Sequence, residues 1–167
     1  RHPDRVRSTV LVGSTAGYST DAERAARRRS DAALADDLIE RGLEWFVDHW
    51  MTLPLFESQE RLGNHALAEA RSLRLANDPD GLVASLLGSG TGMQPSVWGE
   101  LDAVRGPVLL VVGEEDTRYR RLAVRLASGL ALAQTEVVPE AGHAAHLENL
   151  PAVSAAVVEF LDRVDAR

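Results

Sequence analysis

Asp116 and His143 are the residues of this chain whose types and spacing could do chemistry together. A histidine acting as a general base needs a carboxylate at its second ring nitrogen, which fixes the tautomer and stabilises the imidazolium, and the group such a pair activates is a hydroxyl. Asp116 stands just beyond the apolar run Pro107-Val-Leu-Leu-Val-Val-Gly113, and His143 sits in Ala141-Gly-His143, 27 residues further on. One helix and one strand fit in that interval and would return the chain to the same end of a parallel sheet. Loops leaving the C-terminal ends of such strands are where functional groups gather.

Each residue also has a plainer reading. Asp116 would serve as a solvated loop carboxylate or as the cap of a helix opening after Thr117, and an isolated histidine is more often a packing residue. The strand before Asp116, Gly142 before His143 and the Pro151-started helix after it favour the paired reading; Glu114 and Glu115 are weaker candidates for the role. His146 forms a His-x-x-His pair with His143, but both fall in a predicted loop with only Glu148 nearby, so no metal site is expected. His2, His49 and His65 stand alone and read as surface or packing residues.

The hydroxyl itself is missing. A nucleophilic serine of this kind sits at the centre of G-x-S-x-G on a sharp strand-to-helix turn. Gly13-Ser-Thr-Ala-Gly17 has threonine at that centre and Gly88-Ser-Gly-Thr-Gly92 has glycine. Neither is followed by Gly-Lys-Ser/Thr, so neither is a phosphate loop; both read as turns that need positive φ or close backbone approach. With no cysteine in the chain, a thiolate nucleophile, a disulfide framework and cysteine metal sites are excluded.

The elements that would position the pair follow from periodicity. Arg5–Ser14 reads as a buried strand closed by Gly13. Asp21 opens a long helical stretch with an apolar stripe at Leu34, Leu38, Leu43, Phe46, Val47 and Trp50, broken at Gly42 and ended by Pro54. A second helical pattern covers 59–76, and a third opens at Pro79 in its first turn. A short helix through Val97, Trp98 and Leu101 feeds the strand at 107–113. A helix over 120–130, a strand over 135–138 and a last helix from Pro151 complete the order, the last with Val153, Val157, Phe160, Leu161 and Val164 on its buried face. Strand, a long helical stretch, then alternating strands and helices is the pattern of an α/β fold with parallel strands and an inserted helical lid. The expected divisions are 1–20, a core strand and the loop into the lid; 21–104, the lid and a return helix; and 105–167, the core strands and helices that carry Asp116 and His143.

Composition narrows the class. With 45% hydrophobic and 26% charged residues the chain reads as a globular protein, and its apolar runs are far shorter than the roughly 20 residues of a spanning helix. A net charge of −7 argues against nucleic acid or an anionic membrane as partner, while Arg24, Arg27, Arg28 and Arg29 form a local cluster able to receive a small anion. No signal-peptide pattern opens the chain, so the cytoplasm is the expected location. The length of 167 residues, the first residue Arg1 and the absent nucleophile together predict that an N-terminal half of the same fold is missing from this sequence.

Several segments resemble a known family: Asp21-Ala-Glu-Arg-Ala-Ala-Arg-Arg-Arg-Ser-Asp31, Leu53-Pro-Leu-Phe56, Arg74-Leu-Ala-Asn-Asp-Pro79, Gly90-Thr-Gly-Met-Gln-Pro-Ser96, Gly113-Glu-Glu-Asp116 and Ala141-Gly-His-Ala-Ala-His-Leu-Glu148. They are similar to the 2-succinyl-6-hydroxy-2,4-cyclohexadiene-1-carboxylate synthases of menaquinone biosynthesis, members of the α/β-hydrolase superfamily. The glycine-rich and lid segments are fairly specific to the synthases, whereas the Asp and His loops are common to the superfamily. The resemblance implies a carbon–oxygen lyase in which a serine, activated by its His–Asp partners, takes a proton from 2-succinyl-5-enolpyruvyl-6-hydroxy-3-cyclohexene-1-carboxylate and pyruvate is eliminated, with no metal or organic cofactor.

Carried onto this chain, the resemblance implies Asp116 as the acid, His143 as the histidine, and Arg27, Arg74 and Trp50 as substrate-binding residues, with Arg71 an alternative to Arg74. Guanidinium groups suit a small substrate bearing several carboxylates. Arg28 and Arg29 read instead as a solvated face, and Trp50 fits core packing as well as substrate contact. The chain departs from the family in lacking the serine turn, the loop that supplies oxyanion N–H groups and the strands ahead of Arg5. Loss of the oxyanion donors alone costs on the order of 10²–10³ in rate, so the chain by itself is expected to show neither synthase nor esterase activity. Two other readings stay open: an α/β-hydrolase acting on carboxylic esters or lactones, and a non-catalytic interaction module.

Overall fold

Runs of branched apolar residues become strands and the longer amphipathic runs become helices in the computed structural model, which describes residues 5–166. In chain order these are β1 (Thr9–Val12), α1 (Asp21–Met51), α2 (Gly63–Leu75), α3 (Pro79–Ser89), β2 (Val108–Gly113), α4 (Thr117–Gly129), β3 (Ala133–Val138), α5 (Ala145–Glu148) and α6 (Leu150–Asp165), with 3₁₀ turns at Pro54–Leu62 and Trp98–Ala103. They divide into two compact units. One holds the described residues through Ala16 and from Trp98 onward; the other is Gly17–Val97. His2 lies outside the described residues.

The first unit is a parallel sheet in the order β1-β2-β3, with Thr9 opposite Val108 and Val108 opposite Ala133. Every residue of β2 is buried, as a strand covered on both faces must be. Its side chains alternate between two cores. Leu109 and Val111 pack with Val138, Val153, Phe160 and Val164 beneath α6, joined by Val10 and Val12. Val108, Leu110 and Val112 pack with Ala123 and Leu126 of α4 and with Leu101, joined by Leu11. Each such side chain contributes roughly 1.5–3 kcal/mol, so the strand that ends near Asp116 is anchored on both faces.

The differences from the sequence-based expectation have local causes. β1 is shorter than Arg5–Ser14, since Arg5, Val6 and Arg7 are exposed. The helix predicted from 120 begins at Thr117, because Asp116 caps it. Leu161 is 41% exposed: at about 100° per residue it falls on the flank of α6, beside the face carrying Val153, Phe160 and Val164. The loop after His143 contains the single turn α5.

In the second unit α1 starts with a capping box, Thr20 accepting from the Glu23 N–H while Glu23 accepts from the Thr20 N–H, which satisfies two amides of the open turn. Gly42, at φ 84° and ψ 172°, divides the run into two helices. Leu38, Phe46 and Val47 are buried and pack with Leu34, Leu43, Trp50 and residues of α3. The helical pattern from 59 begins as 3₁₀ and becomes α2 only at Gly63. Among the described residues no helix is long and apolar enough to cross a membrane.

Candidate active site

The chain leaves β2 through Gly113, whose backbone lies against the next loop. A Cβ at Gly113 would sit 2.0 Å from the Gly142 carbonyl oxygen and 2.3 Å from that of Ala141. This contact lets the two loops be laced together: the Glu114 N–H donates to Val138 O at 2.9 Å and the Glu115 N–H to Ala141 O at 2.9 Å. Asp116 follows with its side chain 6% exposed. Its Oδ1 accepts from the Tyr119 N–H at 3.1 Å, and its Oδ2 lies 2.8 Å from Nδ1 of His143. The two readings of Asp116, cap and partner of histidine, are therefore both realised, one on each oxygen.

His143 is held from several directions. The Tyr119 ring lies 4.3 Å from the imidazole, centroid to centroid, tilted by 46°, so the residue whose amide is capped by Asp116 also walls the histidine. Gly13, at the end of β1 with φ +53°, approaches so closely that a Cβ would meet His143 Cε1 at 3.0 Å. Glu148 spans the backbone around the histidine, accepting from the Gly142 N–H at 2.7 Å and the Ala144 N–H at 3.2 Å. Glu140, at φ 54°, donates its N–H to Glu114 Oε2 at 3.2 Å.

Chemically, a carboxylate accepting the Nδ1–H leaves the lone pair on Nε2, the tautomer in which histidine can take a proton from a hydroxyl. Burial of Asp116 beside this ring keeps water from competing for the bond. The His-x-x-His pair does not converge: His143 turns to Asp116, while His146 is exposed on α5. Among the described residues no group of three or more His, Asp or Glu side chains is placed to hold a metal ion.

The predicted substrate-binding residues all belong to the second unit. Trp50 and Arg74 share a cavity of about 210 Å³ whose other walls are Phe46, Val47, Asn77, Leu82, Ser85 and Leu86. Trp50 also stacks near Phe46 and Phe56, at 5.8 Å from each, so it is both a packing residue and a cavity wall. Arg74 donates to Ala70 O at 2.9 Å. Arg71 does not line this cavity. It forms a two-pronged pair with Asp48 at 2.6 and 3.1 Å on the surface, and hydrogen bonding to that guanidinium holds the Asp48 carboxyl below its usual range.

Arg27 lies elsewhere on α1 and is not among the cavity residues. Its Nε donates to Oδ1 of the buried Asp31 at 2.7 Å. Burial works against its charge, but hydrogen bonds with Asp31 and Tyr18 more than offset that, and its pKa lies above the ordinary guanidinium value. Arg28 is exposed, as the solvated-face reading has it, and its guanidinium also donates to Gly92 O at 3.0 Å. The glycine-rich loops differ in their reasons. Gly13 and Gly17 have positive φ, whereas a Cβ at Gly90 or Gly92 would meet Asp31 Oδ2 at 2.6 Å or the Arg28 amide nitrogen at 2.8 Å.

Sequence reasoning did not find Tyr119, Gly13 or Glu148 as neighbours of the histidine. Tyr119 had a signal, three residues after a candidate cap. Glu148 had a weaker one, as the carboxylate nearest a run of otherwise uncapped amides.

No family model matches the chain. It is 40% identical over 163 residues, 98% of its own length, to a Bacillus subtilis (strain 168) protein provisionally named 2-succinyl-6-hydroxy-2,4-cyclohexadiene-1-carboxylate synthase, of which it covers 60%. It is 31% identical to the synthase of that name from Enterobacter sp. (strain 638), matching 96% of this chain and 59% of the relative. Among solved structures, MenH from S. aureus superposes with a TM-score of 0.93 at 28% identity, covering 96% of this chain and 60% of that one. The fold is that of the α/β-hydrolases, and the chain spans about three-fifths of the length of the curated relatives it matches.

Proposed function

We propose that this chain is part of a 2-succinyl-6-hydroxy-2,4-cyclohexadiene-1-carboxylate synthase, as its likeness to those enzymes in sequence and fold supports, and that it supplies the acid and the base of a lyase site whose serine lies in the N-terminal half of the same fold. The observation that carries the reading is the 2.8 Å contact between His143 Nδ1 and Asp116 Oδ2. With the ionised Asp116 accepting the Nδ1–H hydrogen bond, His143 takes the hydroxyl proton of the serine at Nε2. The serine oxygen then removes a proton from the ring of 2-succinyl-5-enolpyruvyl-6-hydroxy-3-cyclohexene-1-carboxylate, the carbon–oxygen bond to the enolpyruvyl group breaks, and the departing enolate of pyruvate is protonated at the expense of the His143 imidazolium, which restores the neutral base. This proton abstraction and elimination needs no metal or organic cofactor, and the setting that suits a small anionic intermediate is the cytoplasm.

Substrate recognition falls to the second unit. A largely apolar cavity with Trp50 on one wall and Arg74 on another suits a carbocyclic ring bearing carboxylates, the guanidinium binding a carboxylate through paired hydrogen bonds. Arg27, aligned by Asp31, is the second cation of the reading.

Two features of the first unit support the missing N-terminal half of the same fold as its partner. Among the described strands β1 pairs only with β2, and its residues are partly exposed, which leaves an edge able to accept a neighbour. On α6, Arg163 reaches Gln134 of β3 at 2.8 Å, so the opposite flank, with Leu150, Val158 and Leu161 exposed, is turned to the β1 side. A strand and helix added there would pair β1 and cover that flank.

The test is reconstitution. The chain is co-expressed with the segment of the Bacillus subtilis relative that it does not match, and pyruvate release is followed with the cyclohexene substrate beside p-nitrophenyl ester hydrolysis. Pyruvate release that requires both polypeptides is expected. Fast ester turnover without pyruvate would replace the lyase reading with a hydrolase, and turnover by the chain alone would overturn the division of the site.

A further inference from the structure

We propose that Glu148 is the positioning residue for His143; this rests on the reading of His143 as a base. The Glu148 carboxylate takes the backbone N–H on each side of the histidine, Gly142 at 2.7 Å and Ala144 at 3.2 Å, with one oxygen for each. Those two bonds set the backbone from which the imidazole projects. The ring is fixed separately, by Asp116 at Nδ1 and by Tyr119 on its face. His143 is thus held at both ends by carboxylates with different tasks, Asp116 choosing the tautomer and Glu148 choosing where the ring begins.

The geometry makes a specific demand on residue type. Both Glu148 oxygens accept, so an amide of the same shape can replace only one of them. In Glu148→Gln the NH₂ group faces a backbone N–H, donor against donor, and one of the two bonds is lost without any change of volume. Asp is too short by one methylene to keep both. A charge-assisted bond to a buried amide is strong enough that its loss moves the loop, and displacement of a catalytic group by about 1 Å costs on the order of 10²-fold in rate. A residue that merely stabilised the loop would alter unfolding without changing which ring nitrogen carries the proton.

The experiment is ¹⁵N NMR of the full chain, read at the His143 ring and at the Gly142 and Ala144 amides. In the unsubstituted protein the neutral ring is expected as the Nδ1–H tautomer, and couplings across the hydrogen bonds are expected from the two amide nitrogens to the Glu148 side-chain carboxyl carbon. In Glu148→Gln the ring is expected to shift toward the Nε2–H form and amide exchange at Gly142 or Ala144 to rise on the order of tenfold or more, with the spectrum of β2 unchanged. An Nδ1–H tautomer in the unsubstituted chain that persists fully in a folded Glu148→Gln protein overturns the role of Glu148 alone. An Nε2–H ring in the unsubstituted chain overturns the Asp116–His143 pairing instead. If the variant does not fold, the couplings in the unsubstituted chain decide: their presence supports the clamp and their absence overturns it.

Discussion

The Cα of Gly113 lies so close to the carbonyl oxygen of Gly142 that a Cβ on the first would stand 2.0 Å from the second. The acid loop and the histidine loop therefore meet through backbone, with no side chain between them. It is this contact that lets a carboxylate three residues after Gly113 reach an imidazole one residue after Gly142.

Gly113→Ala is expected to be among the most damaging single-methyl additions in the first unit. The added carbon meets two carbonyl oxygens rather than a flexible side chain, so one strand end or the whole loop must move. A loss of about 3 kcal/mol or more is expected, measured by urea unfolding against the unsubstituted chain. Unchanged stability would mean that the loops are not in contact.

Asp116→Asn separates the two tasks of Asp116. Asparagine caps a helix about as well as aspartate, so the start of α4 survives and stability is expected to stay within about 0.5 kcal/mol. The amide cannot hold the same tautomer of His143, and the turnover of the reconstituted protein is expected to fall on the order of 10⁴-fold. Circular dichroism during thermal unfolding and steady-state turnover together check this. Asp116→Ala, by contrast, loses the cap as well, at about 1 kcal/mol.

Arg74→Ala and Arg71→Ala are expected to differ although the residues are one helical turn apart. Arg74 lines the cavity with Trp50 and Arg71 does not, so removal of the first raises KM of the reconstituted protein on the order of tenfold or more and removal of the second leaves KM unchanged. The Arg71–Asp48 pair is solvent-exposed and screened. Since the Asp48 pKa is lowered, whatever the pair contributes to folding is present above the ordinary aspartate range and disappears as pH falls through the lowered value. Equal effects on KM would remove the distinction between the two arginines.

Much of this arrangement was legible in the residues. A short, β-branched apolar run such as Val108–Val112, bounded by Pro107 and Gly113, reads as a strand covered on both faces, and the interval from Asp116 to His143 holds one helix and one strand, which suffices to return the chain to the same sheet end. What was not legible depends on the direction of individual groups. Capping by Asp116 and pairing with His143 look like rival assignments in a sequence, because nothing there says that the two oxygens face different partners. Glu148 stood out only as a possible metal partner, since its task depends on where two backbone amides point. Leu161 follows Val157 at the i, i+4 spacing of α6 yet lies about 80° from the centre of its buried face, at the edge of the apolar stripe where the type of residue alone does not say whether it is covered. Arg28 is solvated as its sequence suggests, but its bond to Gly92 O joins residues too far apart in the chain to be read there.

The most direct test of the central claim, that Asp116 and His143 form the proton-transferring pair of a lyase completed by the N-terminal half of the same fold, is pyruvate release by the reconstituted protein carrying His143→Gln. The expected result is a fall in kcat on the order of 10⁴-fold or more with KM within about twofold. A variant that releases pyruvate within about tenfold of the unsubstituted rate would contradict it, because His143 would then not be the group that moves the proton.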